Sequence, residues 1–148
     1  MYQHILISTD GSEVAQKGVD HGLDLAKTLG AKVTIITVVE FFYPYVDLGG
    51  SPYAQFSATF VEEAKKLLSA TAEIANRIGV AVETIYLENV APADAIVDAA
   101  SARNCDLIVM SSHGHRGVRR LLLGSVTSQV LARSPVPVLV VRMQADEQ

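Results

Sequence analysis

The sequence predicts an α/β fold: one doubly wound, mostly parallel five-stranded sheet in the order 3-2-1-4-5, with helices on both faces. Three observations lead there. Short apolar, β-branched runs alternate with longer stretches whose apolar residues recur every three to four positions, which is the pattern of repeated strand and helix units. Two loops that leave apolar runs are chemically marked, Thr9-Asp10-Gly11-Ser12 and Ser111-Ser112-His113-Gly114. In a parallel sheet, ligands gather beyond the carboxyl ends of the strands where the strand order reverses, so strands one and four are expected as neighbours.

Taken in order, Gln3 to Ser8 reads as a buried first strand, and Ser12 as the N-cap of a helix from Glu13 to Leu29 with a small-residue face and Gly30 as its stop. Lys32 to Val39 is β-branched almost throughout and makes the second strand. Residues 40–57 break every pattern and hold six of the nine aromatic side chains, Phe41, Phe42, Tyr43, Tyr45, Tyr53 and Phe56. A connection of that length is either a lid, binding loop or interface element, or a set of rings packed on the nearest helix. Thr59 to Ile78 is a helix ended by Gly79, and Val80 to Leu87 is a third strand whose half-alternating pattern suits a sheet edge. A helix from Ala93 to Ala102 behind Pro92, a strand from Asp106 to Met110, a helix from Gly124 to Ala132 and a strand from Val136 to Val141 complete the chain.

Length and composition narrow the function classes. The chain has 148 residues, 49% of them apolar and 19% charged, enough for one domain spanning 1–148 with a real core. No apolar run approaches the roughly 20 residues of a membrane span, and a signal pattern is lacking at the start, so the expectation is a cytoplasmic protein with no membrane contact. A single cysteine, Cys105, leaves no partner for an internal disulfide and reads as a buried small hydrophobe. The net charge of −4 argues against general nucleic-acid binding. That charge is uneven. Residues 106–148 carry five arginines against three carboxylates, whereas residues 1–105 carry seven basic side chains against thirteen acidic ones. Positive charge kept beside a glycine-containing loop that runs into a helix start points to a phosphate.

Other patterns carry less. His113 and His115 flank Gly114, but no third ligand is near, and His4 and His21 are too scattered to complete a metal site. Hydroxyls at Ser8, Thr9, Ser12, Ser111, Ser112, Ser125 and Thr127 show no Ser-His-Asp order, and there is no Walker lysine, so no catalytic residue is assigned. The last strand is apolar and opens with Pro135-Val136-Pro137, which suits an edge. An uncovered apolar edge calls for a second copy, giving a two-fold homodimer through residues 136–142.

With those residues in view, the chain resembles the universal stress protein family over essentially its whole length. The family signature is glycine, two residues, glycine, nine residues, then glycine with serine or threonine. Gly114, nine residues and Gly124-Ser125 fit it, as do LLLGSVTSQVLARSPVPVLVV and the first-strand ending Thr9-Asp10-Gly11-Ser12, while the first glycine is replaced by Ser111.

The resemblance implies a Rossmann-like, adenine nucleotide alpha hydrolase-like fold and binding of ATP or a related adenine nucleotide. Carried over, Asp10 beside Thr9 accepts the ribose hydroxyls, and the Val38 backbone meets the adenine edge. Ser111, His113 and Gly114 lie by the ribose and phosphates, and Gly124, Ser125 and Val126 hold the terminal phosphates with Mg2+ or Mn2+ bridging them. The expected function is a homodimeric, nucleotide-dependent stress regulator with an unidentified protein partner, with two alternatives: a slow ATPase or autophosphorylating protein, and a nucleotide-free scaffold whose site Ser111 impairs. If position 111 requires positive φ, serine costs about 1 kcal/mol there; if the backbone is extended, serine costs little and its hydroxyl is a donor.

Overall fold

The structure is a computed structural model that describes residues 1–40, 52–113 and 123–143. Its elements run β1 (His4–Ser8), α1 (Glu13–Leu29), β2 (Lys32–Val39), α2 (Pro52–Arg77), β3 (Val82–Glu88), α3 (Pro92–Ala102), β4 (Leu107–Ser111), α4 (Ser125–Arg133) and β5 (Val138–Val141). The five strands form one sheet in the order β3-β2-β1-β4-β5, and each neighbouring pair is parallel. This is the predicted order, with β3 at one edge and β5 at the other.

Strand periodicity divides the core into two layers. Ile5 pairs with Val33 and with Leu107, and Ile7 with Ile35 and with Val109, so these side chains share one face of the sheet. They pack there with Val19, Leu23 and Ala26 of α1 and with Leu68 and Ala75 of α2. On the opposite face Leu6, Ile36, Ile108 and Met110 meet Ala93, Ile96 and Ala100 of α3 and Val130 of α4. Central strands buried on both faces explain why the first and fourth runs are almost continuously apolar, and the second β-branched almost throughout, rather than alternating.

The small-residue face of α1 has a steric cause. A Cβ at Gly22 would lie 2.6 Å from Cδ1 of Ile7, and one at Gly18 would lie 3.2 Å from the backbone nitrogen of Ser111. These glycines let α1 ride close over β1 and the end of β4. Ser12 caps the helix by accepting from the Ala15 amide at 3.1 Å, and Gly30 closes it with φ +68°.

Several boundaries differ from expectation for identifiable reasons. The helix expected at Thr59 begins at Pro52, so Tyr53 and Phe56 belong to α2 rather than to a loop; proline is accommodated at a helix start, where its missing N–H costs nothing. The rest of the aromatic segment lies outside the described residues. The third strand starts at Val82 rather than Val80, because the Val80 amide is used to close α2 on the Ala75 carbonyl at 2.9 Å. The fifth strand starts at Val138, since Pro135 and Pro137 donate nothing to the ladder; Pro137 only accepts, from the Ile108 amide at 3.0 Å. Gly124 is the N-cap of α4 rather than its first residue.

Candidate functional site

Parallel strands present their carboxyl ends on one side of the sheet, and that side holds those predicted site residues that lie among the described residues. The first contribution comes from β1. Thr9 extends the strand by donating its amide to the Ile36 carbonyl at 3.0 Å, and its buried hydroxyl accepts from the Gly11 amide at 3.2 Å. Gly11 sits at φ +81°, and a Cβ there would lie 3.1 Å from Leu67. The turn therefore needs glycine on two counts. Asp10 is exposed, and its Oδ1 accepts from the Ser12 amide at 2.9 Å, so the carboxylate shapes the turn. Val38, half-buried near the end of β2, pairs with Leu87 and lies against the α3/α4 layer.

The second contribution is the junction of β4 with α4. Ile7 pairs with Val109, two residues short of Thr9 and Ser111 on their strands, so both chemically marked loops leave neighbouring strands at the same level. Ser111 is the last residue of β4 and is not among the non-glycine residues with positive φ, which are Asn89 and Asn104 among the described residues. Serine is therefore unstrained at this position. Its hydroxyl is nevertheless occupied, donating to the His113 carbonyl at 2.7 Å. Ser112 donates its amide to the Val141 carbonyl at 2.9 Å, and its own carbonyl accepts from the Gly124 amide at 2.8 Å. His113 Nδ1 lies 3.0 Å from the Ser112 hydroxyl, and its buried Nε2 has no hydrogen-bond partner among the described residues.

Gly124 is needed for space rather than for conformation. Its φ of −60° suits any residue, but a Cβ would lie 3.1 Å from the Ser112 carbonyl oxygen. Close approach of this main chain to β4 places the start of α4 at the sheet end. The first-turn amides of Ser125, Val126 and Thr127 have no acceptor within the helix. Ser12 caps the first turn of α1, but no side chain among the described residues caps that of α4. Its first turn also holds no acidic residue, where α1 has Glu13 and α3 has Asp94. First-turn amides without an acceptor inside the helix, in a turn that carries no acidic residue of its own, suit an anion.

The structure thus brings Thr9, Asp10, Val38, Ser111, His113, Gly124, Ser125 and Val126 to one end of the sheet; Gly114 lies outside the described residues, as do Arg116, Arg119 and Arg120. Of the five arginines that concentrate positive charge in this third of the chain, Arg133 is spent on an ion pair with Asp94 of α3. Sequence reasoning gave no role to Thr127 or Ser112. Both are buried, and the Thr127 hydroxyl donates to the Ser111 carbonyl at 2.9 Å across 16 residues. A threonine three residues past a glycine helix start was the available signal.

The other end of the sheet holds a second polar chain. Thr34 donates to Glu83 Oε1 at 2.7 Å, and since it has only one proton, the contact of 2.7 Å with His4 Nε2 makes the imidazole the donor. Glu83 also pairs with Arg103 at 2.7 Å. Burial, with Lys32 adding to it, holds the His4 imidazole below its ordinary value of 6.5, against the opposing pull of the Arg103 carbonyl, Glu83 and Asp106. Burial likewise pushes the Cys105 thiol up to about 11, so it sits in the core as the small hydrophobe expected and not as a nucleophile. Among the described residues no three His, Cys, Asp or Glu side chains gather to hold a metal ion, and no helix is long and apolar enough to cross a membrane.

A model of the universal stress protein family matches residues 1–142. The chain belongs to the universal stress protein family. Among its relatives is a universal stress protein of Methanocaldococcus jannaschii, 37% identical over 99% of this chain and 86% of the relative. Among solved structures, a universal stress protein family member from Burkholderia pseudomallei superimposes with a TM-score of 0.75 at 28% identity, covering 95% of this chain and 96% of that one. A universal stress protein solved in complex with cAMP superimposes with a TM-score of 0.67 at 27% identity, covering 95% of this chain and 97% of that one. The parallel sheet and two-sided helical layering of this chain are those of the family, and adenine nucleotide binding occurs within it.

Proposed function

We propose that this universal stress protein binds ATP or a related adenine nucleotide at the carboxyl ends of β1 and β4. The observation that carries the reading is the β4–α4 junction, where a glycine start with no side-chain cap and no acidic residue offers its first-turn amides at the sheet end. The cAMP complex of a relative supports the ligand class. In this reading Gly124, Ser125 and Val126 hold the terminal phosphates, Ser111, His113 and Gly114 lie by the ribose and inner phosphate, Asp10 beside Thr9 takes the ribose hydroxyls, and the Val38 backbone meets the adenine.

A divalent ion fits only in part. The described residues offer no preformed carboxylate or histidine cage, so Mg2+ or Mn2+ would be carried by the phosphates, with the exposed Ser125 hydroxyl as the hard oxygen donor from the chain. Magnesium held this way would supply neutralisation of phosphate charge. The chain's own part is to bind and orient.

The same reading makes the protein a cytoplasmic homodimeric switch, with nucleotide occupancy changing its shape or its affinity for a protein partner. Val138 to Val141 are all half-buried on an edge strand whose only sheet neighbour among the described residues is β4, which supports pairing with a second copy. The scaffold alternative loses its main support, because Ser111 lies in ordinary extended backbone.

Calorimetric titration with ATP and magnesium tests the site. Saturable binding to the wild type, weakened in Asp10→Ala and in Gly124→Ala, is expected. Absence of heat and of thermal stabilisation would refute it.

A further inference from the structure

We propose that Thr127 is a positioning residue for the nucleotide phosphates, acting by turning the last carbonyl group of β4, that of Ser111, away from the anion. The inference rests on the reading that the start of α4 holds the phosphates. Two consecutive carbonyl oxygens, on the last residue of β4 and on the residue after it, are bound there. The one on Ser111 accepts from the Thr127 hydroxyl at 2.9 Å, and the one on Ser112 accepts from the Gly124 amide at 2.8 Å. Peptide oxygens carry partial negative charge and would repel a phosphate if they faced it. Binding one to α4 and the other to its N-cap residue leaves the first-turn N–H groups, with the Ser125 hydroxyl, as the helix's polar contribution to the sheet end.

The bond is not the local kind that helical threonines usually make. Thr28 donates to the Asp24 carbonyl at 2.9 Å and Thr71 to the Leu67 carbonyl at 2.8 Å, each four residues back in its own helix. Thr127 instead reaches across to another element, and donor and acceptor residues are both buried, at 3% and 7% exposure. The opposite side of the same strand end is closed by α1, where a Cβ added at Gly18 would stand only 3.2 Å from the Ser111 nitrogen. The strand end therefore has little room to re-orient except by releasing Thr127.

The test compares wild type, Thr127→Val and Thr127→Ser by calorimetry with two probes, ATP with magnesium and adenosine. Valine keeps the shape and removes the donor. Thr127→Val is expected to bind ATP about tenfold more weakly, the equivalent of about 1.4 kcal/mol, with adenosine affinity unchanged and Thr127→Ser restoring ATP binding. Equal ATP affinity in wild type and Thr127→Val overturns the inference, as does an equal loss for adenosine, which marks a general structural role. If Thr127→Val does not fold, Thr127→Ser decides: ATP affinity within about twofold of wild type supports the role of the hydroxyl, and a tenfold loss overturns it. A wild type that binds neither probe refutes the nucleotide site itself and this inference with it.

Discussion

Gly22→Ala is the substitution whose outcome the packing decides most sharply, because two opposing effects have different signs. Alanine in a helix interior is favoured over glycine by about 1 kcal/mol, so propensity alone demands a more stable protein. The added methyl, however, would lie 2.6 Å from Cδ1 and 3.0 Å from Cγ1 of Ile7, and 3.3 Å from Cγ1 of Val109. Carbon atoms rest at about 3.5–4.0 Å, so Ile7 must move by roughly an ångström. Ile7 and Val109 are fully buried in the layer that α1 covers, and a β-branched side chain in a strand has few rotamers to escape into.

Overpacking of this kind costs about 1–3 kcal/mol, and with two atoms of Ile7 displaced the upper end applies, leaving a net loss of about 2 kcal/mol. At about 2–4 °C per kcal/mol for a chain of this size, Tm falls by about 4–8 °C. Urea unfolding followed by far-UV circular dichroism measures it, with an unchanged slope against denaturant showing that only stability moved. A variant as stable as wild type, or more so, would refute the claim that α1 is held at glycine distance from β1 and β4. The same spacing carries the Asp10 turn over the sheet end, so the variant should also weaken nucleotide binding.

Two further outcomes follow from the far end and the edge of the sheet. The native state disfavours protonated His4, so it binds fewer protons than the unfolded chain below about pH 6.5; the stability contributed by neutral His4 is present above that pH and is lost as pH falls toward the lower native value. Urea melts from pH 8 to pH 5.5 should show wild type losing stability relative to His4→Gln only below about 6.5, and a relative gain would mean that Glu83 and the Arg103 carbonyl outweigh burial. At the β5 edge, Pro137 and Val141 face β4 through their carbonyls, so by alternation Val140 presents its amide outward. Val140→Pro should remove that donor without breaking the β4 ladder and convert a dimer to a monomer by light scattering; a wild type already monomeric at micromolar concentration would sink the dimer.

The element order and sheet order were legible because each strand and helix carries its own period, and because two marked loops demanded adjacent strands. Boundaries were less legible where a local rule met a competing use of the same group. Val80 looks like strand but spends its amide closing α2, and Pro52 looks like loop but starts a helix. The turn after β1 and the helix start at Gly124-Ser125 were legible from residue type, since turn residues and helix starts have one-dimensional signatures, while the roles expected of Asp10, Gly124 and Ser125 came from the family resemblance.

What only the tertiary structure decided concerns contacts between residues far apart in the chain. Whether Ser111 is strained depends on its backbone, which its pairing with Val141 of β5 sets as extended. Thr127 gains a role only when α4 packs against the end of β4, and Gly18 and Gly22 reveal their purpose only when α1 lies on the sheet. The sequence by itself determined which segments form which elements, their order in the sheet and the end at which an anion is expected, because local periodicity and chain connectivity suffice for those. Orientation of carbonyls, steric room for a methyl group and the environment of His4 are properties of packed neighbours, and no local pattern encodes them.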